Sequence, residues 1–247
     1  NTNSIFQFES VGMKSMLRRF QPSCFEDLII LIAMFRPGPM DFIDNVIDVK
    51  HGKKPLKYET PELEPILKTT YGAIVFQEQV MQIFQSLAGY SLGQADLVRR
   101  AMSKKKKERL KQERQAFIYG DSERKIQGCI QNGINEKIAN HLFDEMLDFA
   151  KYAFNKSHAA AYAVVSYQTA WLKYHYPAEY LCAMFSNKEV EKYQPIYEDC
   201  YRYGVEILPP DINRSCYEFI IEDESKIRYG FCGIKGIGEE ESVQGII

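Results

Sequence analysis

Apolar residues recur at helical spacing along most of this chain. The densest run, 25–35, is apolar on nearly every side and predicts a helix buried all round. Ser23 stands as its expected N-cap, with Glu26 three residues on, in the manner of a capping box. Arg36-Pro37-Gly38-Pro39 must end it, because two prolines flanking a glycine cannot continue a helix. A short amphipathic helix is expected over 41–50, closed by His51-Gly52, and the three prolines of 53–65 predict a loop. Val80, Met81, Ile83, Phe84 and Leu87 fall on one side of a helix over 77–87, and Gly89 and Gly93 break the pattern. Residues 97–120 form a long, polar helix or helix pair. Residues 135–150 carry the stripe Ile138, Leu142, Phe143, Met146, Leu147 and Phe149. An alanine- and aromatic-rich helix over 159–176 meets Pro177, a short apolar helix covers 178–186, and a helix over 193–203 runs into Gly204 as a C-cap.

The character changes at Val205. Leu208-Pro209-Pro210-Asp211 is a stiff extended piece, and strand-like runs at 217–222 and 226–229 flank the polar turn Asp223-Glu224-Ser225, which predicts a hairpin. Ile234-Lys235-Gly236-Ile237-Gly238 then precedes a segment able to start a helix, and Ile247 is expected to cut that domain short. The expected fold is mainly α: a helical body over 1–190, a distal segment with short strands over 191–233, and the truncated start of a helix-hairpin-helix over 234–247.

Composition narrows the class. Hydrophobic residues make up 45% and charged residues 26% of 247, which supports a packed core and argues against disorder. No run of 18 apolar residues suggests a membrane span, and the first ten residues lack the plan of a signal peptide. The six cysteines form no C-x-x-C pair, so neither a zinc site nor a disulfide framework is expected; they read as reduced thiols of a cytoplasmic protein. The net charge of −2 hides an asymmetry. Residues 99–114 hold nine Lys and Arg against two Glu, a local +7, so the remainder sums to −9. Such a block focuses an attractive field for polyanions.

Four stretches carry candidate chemistry. The first is Arg99-Arg100-Ala101-Met102-Ser103-Lys104 with Lys105, Lys106 and Lys107. Paired arginines offer forked donors to phosphate oxygens, and Lys104 lies one helical turn past Arg100; a solvated, salt-bridged helix face has the same composition. The second runs from Phe154 to Tyr162. Asn155 or Ser157 could cap a helix there, whose N-terminus favours an anion, with Lys156 and His158 as added donors and Ala159, Ala160, Ala161 and Ala163 leaving room for close approach. The alternative makes those alanines a packing face. The third presents Arg36 from a proline turn, with Asp41, Asp44 and Asp48 spaced along one helix face; dipole partnership fits these carboxylates better than metal binding. The fourth is the glycine turn Lys235-Gly236-Ile237-Gly238, whose backbone amides could hold a DNA phosphate. No P-loop, no nucleophile elbow and no pair of carboxylates fit to clamp two metal ions can be assembled from the chain.

Taken together, the segments resemble the C-family replicative DNA polymerases, in their DNA polymerase III alpha branch. The resemblance rests on Ser4-Ile5-Phe6-Gln7-Phe8-Glu9-Ser10, Phe25-Glu26-Asp27-Leu28, Arg36-Pro37-Gly38-Pro39-Met40, Thr70-Tyr71-Gly72, Gln77-Glu78-Gln79-Val80-Met81 and Leu87-Ala88-Gly89-Tyr90-Ser91. It continues through the basic block, the Phe154 to Tyr162 stretch, Ser166-Tyr167-Gln168-Thr169-Ala170-Trp171 and Leu208-Pro209-Pro210-Asp211, all in family order. It implies a fingers region that grips the triphosphate of the incoming dNTP and borders the template–primer DNA. On that resemblance Arg99, Arg100, Lys156 and His158 line the dNTP pocket, and Arg36 and Lys104 extend it. Lys105, Lys106, Lys107, Lys235, Gly236 and Gly238 are expected to face DNA. The catalytic aspartates and the Mg²⁺ they hold would lie in a palm outside this chain, leaving the chain alone inactive, and other holoenzyme subunits would bind elsewhere too. On that resemblance two positions depart from the pattern, since the family usually has glycine where Ser103 and Ala153 stand. The rival reading is a stand-alone helical module for protein or nucleic-acid partners.

Overall fold

The apolar runs close into two units, Met16–Ala163 and Asn1–Ser15 with Val164–Ile247. The computed structural model describes residues 1–104, 107–150 and 152–237. Among the described residues there are eleven α-helices and one three-stranded sheet, the mainly helical fold that the apolar spacing predicts. None of these helices is long and apolar enough to cross a membrane. Two helices, α1 (Val11–Phe20) and α9 (Lys156–His175), supply residues to both units.

In the unit Met16–Ala163, α2 (Phe25–Met34) buries Ile29, Ile30, Leu31, Ala33 and Met34, as its all-round apolar pattern requires. Its cap is shifted by one residue from the expected one. Cys24 is the N-cap, and Asp27, not Glu26, turns back to accept the backbone N–H groups of Ser23 at 2.7 Å and Cys24 at 3.4 Å. Asp27 wins because it is also the buried partner of two distant groups. Lys50 Nζ lies 2.7 Å from Oδ2, and Tyr71 donates its hydroxyl to Oδ1 at 2.7 Å. Burial pushes the Asp27 carboxyl up, but the hydrogen bonds from Lys50, Ser23 and Tyr71 outweigh it and hold the group below its ordinary value. Lys50 is raised in turn: burial pulls it down, and Asp27 and Tyr71 more than offset that.

A carboxyl depressed in the folded state stabilises above its unfolded pKa of about 3.9, and that stability is lost as pH falls through the folded value. A raised lysine stabilises below about 10.4 and loses it as pH rises through the folded value. Urea unfolding is therefore expected to show a stability plateau between those limits that Asp27→Asn lowers and flattens on its acid side. An unchanged acid limb in Asp27→Asn would refute the role given to this network.

Two further helices, α3 (Ile43–Lys50) and α4 (Glu64–Leu67), each follow a 3₁₀ turn, Pro39–Phe42 and Pro61–Leu63, so the stretch expected as loop ends in helix. Proline suits both starts, since the first N–H groups of a helix have no intrahelical partner. Next come α5 (Gln77–Ala88), closed by Gly89 at φ +75°, α6 (Leu92–Ser103), α7 (Lys107–Tyr119) and α8 (Glu136–Phe149). Their apolar faces meet around Phe84, whose ring packs edge-on against Phe117 at 4.9 Å, Tyr90 at 5.1 Å and Phe143 at 6.1 Å. After α7 the chain doubles back so closely that a Cβ on Gly128 would sit 2.3 Å from the Gly120 nitrogen, and Gly128 has φ +83°. Only glycine fits both conditions.

The second unit packs α10 (Pro177–Asn187) and α11 (Gln194–Tyr203) against the strands β1 (Glu206–Leu208), β2 (Ile220–Asp223) and β3 (Lys226–Arg228). Gly204 ends α11 at φ +70°, the expected C-cap. β2 and β3 form the expected antiparallel hairpin. Unexpectedly, β1 pairs in parallel with β3, Glu206 facing Lys226, so the sheet order is β1-β3-β2. Phe185 of α10 stacks on Phe219 at 4.8 Å. The buried Lys173 of α9 reaches Asp199 of α11 at 2.5 Å and the Asn3 carbonyl at 2.6 Å. All six cysteines are unpaired: Cys129, Cys182 and Cys200 are buried, Cys232 is half-buried, and Cys24 and Cys216 are exposed.

Candidate phosphate-binding site

The site is assembled within Met16–Ala163, where the chain before α5 runs beside the segment leading into α9. Phe154 donates its N–H to the Val75 carbonyl at 3.1 Å, and Gln77 donates to the Phe154 carbonyl at 2.9 Å, a short parallel bridge. Asn155 then caps α9, its Oδ1 accepting the His158 N–H at 2.8 Å, so the helix starts three residues earlier than its apolar pattern suggested. The N-terminus of α9 was expected to favour an anion, and the chain supplies one. The Glu78 carboxylate accepts the Lys156 N–H at 3.1 and 3.0 Å and the Asn155 side-chain amide at 3.0 Å. Lys156 and His158 are exposed. The His158 ring lies between Phe154 at 5.4 Å and Tyr162 at 4.2 Å, and Lys156 Nζ sits 5.6 Å from the Phe76 ring centre. Ala159 and Ala163, one turn apart, are fully buried, so part of the alanine run does pack.

The arginine pair projects from α6. Asp96 lies one turn before both, and its Oδ1 accepts from Arg99 Nε at 3.0 Å and from an Arg99 terminal nitrogen at 2.7 Å. Its Oδ2 lies 2.7 Å from Arg100 Nε. The hydrogen bond from Arg99 is the largest influence on Asp96 and, with that from Arg100, holds the carboxyl below its ordinary value. The other Arg99 terminal nitrogen donates to Gln77 Oε1 at 2.9 Å, while Gln77 Nε2 donates to the Ala153 carbonyl at 3.2 Å. Thus Gln77 holds Arg99, and its neighbour Glu78 holds the start of α9. One helical turn links the basic helix to Lys156 and His158. Asp96, Gln77 and Glu78 are the residues that sequence reasoning missed. Asp96 had a readable signal, a carboxylate three and four residues before two arginines; the other two connect positions 22 and 78 apart and had none.

Arg36 joins the same segment. It donates to the Ala33 carbonyl at 2.7 Å and to the Tyr152 carbonyl, and its guanidinium lies 4.3 Å from the Phe154 ring centre. Burial holds its pKa below the ordinary arginine value. Ser103 donates to the carbonyls of Arg99 at 3.2 Å and Ala150 at 3.3 Å, bonds that glycine could not make. Lys104 closes α6 with its backbone N–H on the Arg100 carbonyl. Lys104 and Lys107 are exposed and have no ion-pair partner among the described residues. Arg109, Lys111 and Arg114 are instead spent on Glu113, Glu108 and Asp144. Lys105, Lys106 and Gly238 lie outside the described residues. Lys235 and Gly236 are exposed in the other unit, Gly236 at φ +94° with open space where a Cβ would stand. Asp44 and Asp48 pair with Arg19 and Lys54, and the described residues gather no group of three or more His, Cys, Asp or Glu able to hold a metal ion.

A helical unit with clustered arginines is a general solution for polyphosphate recognition; sequence comparison makes the class specific. Residues 1–125 match the model of the bacterial DNA polymerase III alpha subunit finger domain, and residues 204–247 match a helix-hairpin-helix motif. The chain is 49% identical to the DNA polymerase III subunit alpha of Escherichia coli strain K12, over 96% of this chain and 21% of that protein. Its identity to the Haemophilus influenzae subunit is 47% over the same shares, and to the Buchnera aphidicola subunit 47% over 100% of this chain and 21% of that protein. The chain belongs to the bacterial DNA polymerase III alpha subunit finger-domain family. It spans about a fifth of the length of these relatives.

Proposed function

We propose that this chain is the fingers region of a replicative DNA polymerase, in which Arg99, Arg100, Lys156 and His158 hold the triphosphate of the incoming dNTP. The observation that carries this reading is the link through Gln77 and Glu78, which ties the arginine helix to the exposed Lys156 and His158. Nucleotidyl transfer spreads negative charge over the phosphates, and fixed cations stabilise it without reorganising. Arg36 braces the segment before α9, and Lys104 widens the positive surface beside the pair. Lys107, with Lys105 and Lys106, would track the template–primer backbone, as would the turn at Lys235, Gly236 and Gly238. On the family resemblance, the Mg²⁺ and the catalytic aspartates of this DNA-directed DNA polymerase reaction are assigned to a palm outside this chain, as are contacts with other holoenzyme subunits. The assigned compartment is the cytoplasm, in keeping with six unpaired thiols.

Arg99→Ala/Arg100→Ala tests the reading. Charge-assisted hydrogen bonds contribute roughly 1.5–3 kcal/mol each, so dNTP affinity, measured by calorimetry, is expected to fall by about tenfold or more. DNA binding, followed by fluorescence anisotropy, should weaken steeply with salt as counterions are released. The chain alone should extend no primer with Mg²⁺ present. Unchanged dNTP and DNA binding in the double variant would overturn the assignment, and salt-independent binding to protein partners would favour the stand-alone module.

A further inference from the structure

We propose that the two arginines have separate tasks: Arg100 makes the phosphate contact, while Arg99 is a positioning residue locked by Asp96 and Gln77 as a strut between α6 and the start of α9. This rests on the triphosphate reading above and narrows it, moving Arg99 from the phosphate contact to the support of that contact. All three guanidinium nitrogens of Arg99 are committed, two to Asp96 and one to Gln77. Its side chain is 17% exposed, against 63% for Arg100. Arg100 gives only its Nε to Asp96, and among the described residues no partner holds its two terminal nitrogens. Those two nitrogens form the outer edge of the fork, the edge that offers two parallel N–H bonds to a phosphate. Arg99, by contrast, has no guanidinium nitrogen without a protein partner.

The strut is chemically directional. Arginine only donates and a carbonyl only accepts, so the Gln77 amide must turn its oxygen to Arg99 and its nitrogen to Ala153. Glutamate at 77 would keep the first bond and lose the second; leucine would lose both. Gln77 also begins α5, whose next residue, Glu78, holds the Lys156 N–H with its carboxylate. The distance between the Arg100 fork and the Lys156–His158 pair is therefore set through this one turn.

The test is calorimetric binding of inorganic tripolyphosphate to the 247-residue chain, with a thermal melt of each variant. Arg100→Ala is expected to lose about tenfold or more in affinity, and Arg100→Lys to recover part of it as a point charge. Arg99→Ala and Arg99→Lys should lose affinity equally, because a lysine cannot span Asp96 and Gln77 at once. Gln77→Leu should lose as much as Arg99→Ala, and the two together no more than either alone, whereas Gln77→Leu and Arg100→Ala should multiply. A further tenfold loss from Arg99→Ala in the Gln77→Leu background would overturn the strut, since Arg99 would then be touching phosphate itself. So would Gln77→Leu binding like wild type while Arg99→Ala does not. If Arg99→Ala melts early, Gln77→Leu alone probes the same link from its other end. If wild type fails to bind tripolyphosphate, or binds no better than Arg99→Ala/Arg100→Ala, the triphosphate reading itself falls.

Discussion

Lys173→Met is expected to remove about 3–5 kcal/mol of stability from the unit that contains Val164–Ile247, the cost of leaving a buried charge without its partner. The Lys173 and Asp199 side chains are 2% and 0% exposed. Every polar atom of the pair is used: the ammonium meets Asp199 Oδ2 and the Asn3 carbonyl, and Asp199 Oδ1 accepts the Asn1 side-chain amide. Burial pulls the lysine below its ordinary pKa, and Asp199 only partly offsets this. Methionine fills a similar volume, so the loss reports charge and not packing. Trp171, the only tryptophan in the chain, lies two residues away on α9 and reports the transition by fluorescence during urea unfolding. Lys173→Met/Asp199→Leu should recover much of the loss, because an apolar pair of similar size replaces a buried ion pair at little cost. A single-variant loss below about 1 kcal/mol would show that water reaches Asp199 and that the site is not sealed.

Phe84→Ala should be comparably damaging in the unit Met16–Ala163. A fully buried phenylalanine truncated to alanine costs about 3–5 kcal/mol, combining lost transfer energy with the cavity left behind. Phe84 is 0% exposed and central to three other rings, so its neighbours Phe117, Tyr90 and Phe143 cannot all close on one void. For a chain of this size the corresponding fall in melting temperature is roughly 10 °C. Phe84 sits two turns along α5 from Gln77, so the same variant should lower tripolyphosphate affinity if α5 is the rigid element that spaces the site. A melt lowered by less than about 2 °C would show that the ring cluster relaxes and does not hold α5.

Helices were legible wherever one sequence window contained their cause. The stripes of α5 and α8, and the glycine ending α11, are local facts. The cap of α2 was misplaced by one residue because Asp27 is chosen by Lys50 and Tyr71, which lie 23 and 44 residues away. The parallel pairing of β1 with β3 was invisible for the same reason: strand partners across 20 residues are selected by packing, here against α10 and α11. The cations of the site could be read from composition and resemblance. Glu78 could not: nothing in the sequence shows that it will close the N-terminus of α9, and a window around Asn155 alone suggests a vacant anion site. Asp96 was within reach of helical spacing, and its neglect left the arginines looking freer than they are.

The cysteines make the protein convenient to label. Burial pushes the Cys129 and Cys200 thiols up to about 12 and Cys182 to about 11, and raises Cys232 as well. Thiols held so high carry almost no thiolate at neutral pH and resist alkylation. Cys24 and Cys216 are the exposed ones, and each belongs to a different unit. A maleimide donor and acceptor would therefore settle at two addresses without any engineered cysteine. Energy transfer between them would turn the unmodified sequence into its own ruler for the separation of two native thiols.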